Sequence, residues 1–131
     1  MLAKKVLLVC LEAVVIVGVI GCAPTIVSTD AGVYQHGTLY ASASKDLDSV
    51  YAATLSAMDK LQLQVTEKAK DVFSARVVAK SAYGKIVVVK IKPEGEQKTS
   101  YEIHTGAFGD EERARKIFSE INTGLATVKT K

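Results

Sequence analysis

At 131 residues, 48% hydrophobic and 24% charged, the chain has the length and composition of one domain with a sizeable core. A formal net charge of +3 is too small for the basic footprint of a nucleic-acid binder. Two cysteines and two histidines leave no disulfide framework and no spaced metal-ligand motif.

The chain opens on a targeting signal. Lys4 and Lys5 precede a run of 15 residues, 6–20, that is apolar except for Glu12. At about 1.5 Å per helical residue such a run reaches about 22 Å, short of a hydrocarbon core about 30 Å thick. A carboxylate at the bilayer centre costs about 2.5 kcal/mol or more. The segment therefore reads as a removed signal peptide over residues 1–21, not as a permanent anchor. Val19-Ile20-Gly21-Cys22 closes it. Small and apolar residues directly before a cysteine resemble a bacterial lipobox, in which the cysteine is acylated and becomes the first residue of the mature protein. A thiol is the side chain that readily forms a thioether to a diacylglycerol. Residue 23 is Ala rather than Asp. By analogy with enterobacterial sorting, this favours the outer membrane, facing the periplasm, over the inner membrane.

Cleavage before Cys22 leaves 110 residues with 15 basic and 13 acidic side chains. Cys10 is lost with the signal, so the mature domain holds no cysteine besides the acylated one. That suits an oxidising compartment, where a free thiol is a liability. Residues 22–33 are small and polar and read as a lipidated N-terminus and short tether. About ten residues extend at most about 35 Å. The domain proper is expected over residues 34–131.

A first strand is expected around Tyr34 and Tyr40, with Gly37 marking a bulge or turn. Residues 46–62 carry the clearest helical period. Leu47, Val50, Tyr51, Thr54, Leu55, Met58 and Leu61 form one stripe, and Asp46 stands where an N-cap is needed. Leu63 and Val65 then alternate with polar residues, and Lys70-Asp71 forms a turn. Phe73, Ala75, Val77 and Ala79 share one face of the next strand. Gly84 serves a hairpin, and Val87, Val89 and Ile91 continue the inward face until Pro93. After a turn at Glu94-Gly95-Glu96-Gln97, Tyr101, Ile103 and Thr105 define the last strand. Asp110 caps a second helix with a stripe of Ala114, Ile117, Phe118, Ile121, Leu125 and Val128. Gly124 is expected to weaken its final turn. The order is β-α-β-β-β-β-α. Short meander connections favour antiparallel pairing, so an α+β fold is expected, with one antiparallel sheet and both helices on one face.

Gly37-Thr38-Leu39, Leu47-Asp48-Ser49-Val50-Tyr51-Ala52-Ala53-Thr54, Leu63-Gln64-Val65-Thr66-Glu67-Lys68 and Gly106-Ala107-Phe108-Gly109-Asp110-Glu111 together resemble a family of small bacterial lipoproteins catalogued as a domain of unknown function. The resemblance covers nearly the whole mature chain and implies no established activity. Tyr51 stands where that family often has Trp, and His104 where a basic residue is common. The element order is also similar, at the level of fold alone, to small domains of the lipoprotein component of the outer-membrane β-barrel assembly machinery.

No catalytic constellation is visible. There is no nucleophile elbow and no Ser-x-x-Lys with partners. His36 and His104 read as surface residues, so neither a metal nor a cofactor is expected, and the chain reads as a non-enzyme. In the loop before the second helix, Gly106 and Gly109 suit a tight turn, with Phe108 as a plug and Asp110 as cap; Asp110, Glu111 and Glu112 would repel an anion there. The sheet face away from the helices carries Val78, Ile86 and Val88 with a basic rim of Arg76, Lys80, Lys90 and Lys92, and His104 beside them. It is a candidate interaction surface, although β-branched residues also simply suit strands.

Two readings follow. One is a lipid-anchored, non-catalytic binding or assembly-accessory module whose partners are the membrane and an envelope protein, with no nucleic acid. The other is a small-ligand or lipid-binding domain with a cavity lined by Tyr51, Met58, Tyr101 and Phe118. The oligomeric state stays open.

Overall fold

The computed structural model describes residues 32–127. Strands β1 (Val33–Gln35) and β2 (Thr38–Ala43) are followed by helix α1 (Leu47–Lys60). Strands β3 (Gln64–Lys70), β4 (Ala75–Lys80), β5 (Ile86–Gly95) and β6 (Lys98–Thr105) then lead to helix α2 (Glu111–Thr127). All six strands join one antiparallel sheet in the order β1-β2-β6-β5-β4-β3. Both helices lie on one face of it, as the amphipathic stripes require.

The expected first strand is folded back on itself. His36 and Gly37 both take positive φ, 49° and 82°. This is the pair of values that a two-residue hairpin turn needs to match strand twist. The order β-α-β-β-β-β-α holds with this hairpin in first place.

The core is built from alternate strand residues and two helical stripes. Leu39, Val77, Val87, Val89, Ile91, Tyr101 and Ile103 point inward from the sheet. Val50, Ala53, Ala57 and Met58 meet them from α1, and Ala114, Ile117, Ile121 and Leu125 from α2. Each fully buried Leu, Ile, Val or Met contributes about 1.5–3 kcal/mol relative to exposure. Ala75 and Ala79 are also buried, with α1 above β4. Tyr51 is only partly buried and lies under the ammonium of Lys70, 5.4 Å from its ring centroid.

Several local expectations change. Phe73 is 77% exposed and precedes β4. Asp71 accepts hydrogen bonds from the Phe73 and Ser74 N–H groups, at 2.7 and 2.9 Å, so these residues are spent on the turn. Asp46 stands at the N-cap of α1, but its carboxylate makes no cap bond. It accepts the hydroxyl of Ser49 instead. Strand β5 continues through Pro93 to Gly95. Pro93 is tolerated because Ala75, the first residue of β4, pairs with Ile91, leaving Pro93 no β4 neighbour to donate to. Gly124 lies inside α2, which runs on to Thr127. Val128 lies outside the described residues, as do Cys10, the signal segment, the lipobox and the tether up to residue 31.

Candidate binding face

Because side chains alternate across a sheet, the residues not facing the helices line up in rows on the open side. One row runs Val78, Val88, His104 and Thr38, across β4, β5, β6 and β2. The next runs Arg76, Lys90, Glu102 and Tyr40. Val78, Val88 and His104 are half-buried, while Ile86 is 52% exposed. The Thr38 Oγ1 and His104 Nδ1 atoms are 3.2 Å apart and hydrogen-bonded. This bond ties the histidine to the neighbouring strand β2.

The face is grooved rather than smooth. A shallow depression of about 370 Å³ lies among Thr38, Arg76, Val88, Lys90, Glu102 and His104. A second, of about 580 Å³, lies at the end of the sheet, where Ile86, Val88 and His104 meet Gly106, Ala107 and Phe108. Arg76 stands 3.8 Å from Glu67. Lys80, Lys90 and Lys92 have no carboxylate within ion-pair distance among the described residues. The outer helical surface differs, since Glu111–Arg115 and Glu112–Lys116 pair along α2. Uncompensated positive charge therefore lies on the open face.

The loop over residues 106–110 closes one end of the face. Gly106 and Gly109 have φ of 69° and 84°. The buried Thr105 hydroxyl ties the loop shut, donating to the Asp110 carbonyl at 2.8 Å and accepting the Asp110 N–H at 2.9 Å. The Gly106 N–H donates to the Ile86 carbonyl at 2.8 Å. Asp110 Oδ1 accepts the Arg113 N–H at 3.1 Å, and Oδ2 lies within 3.6 Å of Lys85 Nζ. The Arg113 backbone bond, aided by the Arg113 side chain and Lys85, holds the Asp110 carboxyl below the usual range. Phe108, expected as a plug, is 98% exposed. The two glycines turn the backbone inward, and the side chain between them is left pointing out.

His36 occupies the β1–β2 turn and is exposed. Among the described residues no group of three or more His, Cys, Asp or Glu could hold a metal ion. No described helix is long and apolar enough to cross a membrane. The side chains expected to surround a cavity pack against neighbours. Met58 is fully buried, and the Tyr101 ring stacks on Phe118 with centroids 6.3 Å apart. The Tyr101 hydroxyl donates to Asn122 Oδ1 at 3.2 Å.

A family model described as "Protein of unknown function (DUF3568)" matches residues 5–124. The chain belongs to this family. No curated protein matches it. The DUF3568 match runs through the hydrophobic run, residues 19–22 and nearly all of the described domain. The N-terminal hydrophobic run and the α+β domain are thus parts of one family pattern.

Within this DUF3568 domain, Val78, Ile86, Val88 and His104 do come together on one face. Thr38 and Tyr40 join them and were not anticipated from sequence. Their place depends on β2 lying next to β6, which no local pattern signals.

Proposed function

We propose that this protein is a lipid-anchored bacterial envelope lipoprotein, acylated on Cys22 and held at the outer membrane facing the periplasm. Its domain acts as a non-catalytic binding or assembly-accessory module that presents the open sheet face to another envelope protein. The observation that carries this reading is Val19-Ile20-Gly21-Cys22 at the end of a hydrophobic run too short to span a bilayer. The remaining chain has no other cysteine, as a domain in an oxidising compartment would prefer. The half-buried valines of the open face, and its lysines without an ion-pair partner among the described residues, support a docking role, since a sheet face left without a helix has apolar surface to cover.

Two measurements test the reading. Radiolabelled palmitate should enter the wild-type protein and not Cys22→Ser. Cross-linking in the intact envelope should trap a complex through the open face. Absence of label in the wild type would remove the anchor. Recovery of monomer alone would remove the partner.

A further inference from the structure

The turns at one end of the sheet carry a cluster of exposed apolar side chains. Phe108 lies in loop 106–110, and Tyr83, 89% exposed, lies in the β4–β5 hairpin. Ile86, at the start of β5, lines the same depression as Phe108. The two loops are joined to each other by the Gly106–Ile86 backbone bond and by the Lys85–Asp110 ion pair. Loop 106–110 also touches the β1–β2 turn, where the Phe108 carbonyl lies 3.3 Å from the place a Cβ on Gly37 would occupy. This end is therefore a rigid platform with aromatic tips.

Its charges are arranged in a particular way. Asp110, Glu111 and Glu112 each have a cation within ion-pair distance: Lys85 and Arg113, Arg115, and Lys116 respectively. Lys80, at the foot of the hairpin, has no such partner among the described residues. The charge left uncompensated there is positive. Exposed aromatic rings flanked by lysine suit the boundary between water and an anionic bilayer, where rings sit at headgroup depth.

The reach of the chain is compatible with this. Ten residues separate Cys22 from Gly32, which spans at most about 35 Å. From Gly32 the three-residue β1 runs towards the β1–β2 turn at the platform end, adding about 10 Å. An anchor on Cys22 can therefore lie beside the tips of Tyr83 and Phe108.

We infer that the end of the domain formed by Tyr83, Ile86 and Phe108 rests on the anionic surface of the membrane that holds Cys22. This second contact orients the sheet so that the open face looks along the bilayer. The inference rests on the Cys22 anchor proposed above.

The chain contains no tryptophan, so Phe108→Trp installs a single reporter at an exposed site. Phe73→Trp places one at the opposite end of the sheet, before β4. The probe is the full lipidated chain in vesicles rich in phosphatidylglycerol, with part of the lipid brominated near the head of its acyl chains. Flotation with the vesicles reports the anchor independently. The Phe108→Trp emission should fall by about half, as for a ring held about 5–10 Å into the interface, and high salt should weaken the effect. The Phe73→Trp emission should not change. A chain that floats while its Phe108→Trp reporter is unquenched overturns the inference and leaves the anchor standing; the tips would then serve a protein partner. Equal quenching at both positions also overturns it, because the domain then has no fixed orientation. A wild-type chain that does not float overturns the anchor and this inference together.

Discussion

Gly109 passes so close to Gly37 that a Cβ on Gly109 would lie 2.5 Å from the Gly37 Cα and 2.5 Å from the Tyr34 hydroxyl oxygen. The loop before α2 and the β1–β2 hairpin are thus pressed together backbone to backbone. Gly109→Ala adds this clash to the cost of a non-glycine residue at φ 84°. It should lower stability by about 2 kcal/mol or more, measured as a fall in the urea midpoint. Gly106→Ala, with open space around its Cβ, should lose only the backbone part, about 1–2 kcal/mol. Equal losses in the two variants would show that the close approach does not matter.

Gly124 calls for the opposite substitution. It sits inside α2 with ordinary helical φ, and an added Cβ would meet the Ala53 Cβ at 3.4 Å, in van der Waals contact. Gly124→Ala should gain helix propensity of about 0.5–1 kcal/mol and raise the melting temperature. A loss would mean that the α1–α2 packing cannot yield at that contact.

Acid should loosen the start of α2. The Asp110 carboxyl is held below its usual range mainly by the Arg113 backbone N–H. A depressed folded-state value means that the stabilisation is present above the unfolded value near pH 3.9 and is lost as pH falls through the folded value. Urea midpoints followed downward from pH 5 should therefore decline, and Asp110→Asn should flatten that decline. An unchanged profile in Asp110→Asn would assign the acid sensitivity to other carboxylates.

The Thr38–His104 bond ties β2 to β6 on the open face. Thr38→Val keeps the β-branched shape and removes the hydroxyl. A net hydrogen bond is worth about 0.5–1.5 kcal/mol, so a loss near the lower end is expected at this half-buried site. The His104 ring resonances should shift in NMR spectra without change elsewhere in the sheet.

Val78 and Val88 are neighbours across β4 and β5. Replacing both with Thr keeps β-branching and makes the centre of the open face polar. Cross-linking to an envelope partner should fall sharply, while stability should change by about 1 kcal/mol or less. Undiminished cross-linking would move the docking site elsewhere.

Much of this architecture is legible in local patterning. The period of Val50, Thr54 and Met58 marks α1, and the alternation of Val87, Val89 and Ile91 marks an inward strand face, because burial on one side imposes those spacings. Val78, Val88 and His104 could be placed on the outer face by the same parity. Loops carry no such period. Phe108 was expected as a plug in the glycine turn, yet its side chain lies in solvent between Gly106 and Gly109. The first strand misleads in a similar way, since nothing about His36 announces the positive φ that folds β1 back on β2.

Sequence alone determined the α+β class, the helical stripes and the in-or-out parity of the central strands. These depend on residues within a few positions of one another, where covalent geometry links spacing to direction. Only the tertiary structure decided that β6 enters between β2 and β5, which sets Thr38 beside His104 and Tyr40 beside Glu102. It alone also decided that loop 106–110 lies against the β1–β2 turn. Those neighbours are brought together by burial of a shared core between segments far apart in the chain, and that burial depends on the whole set of side chains rather than on any local run.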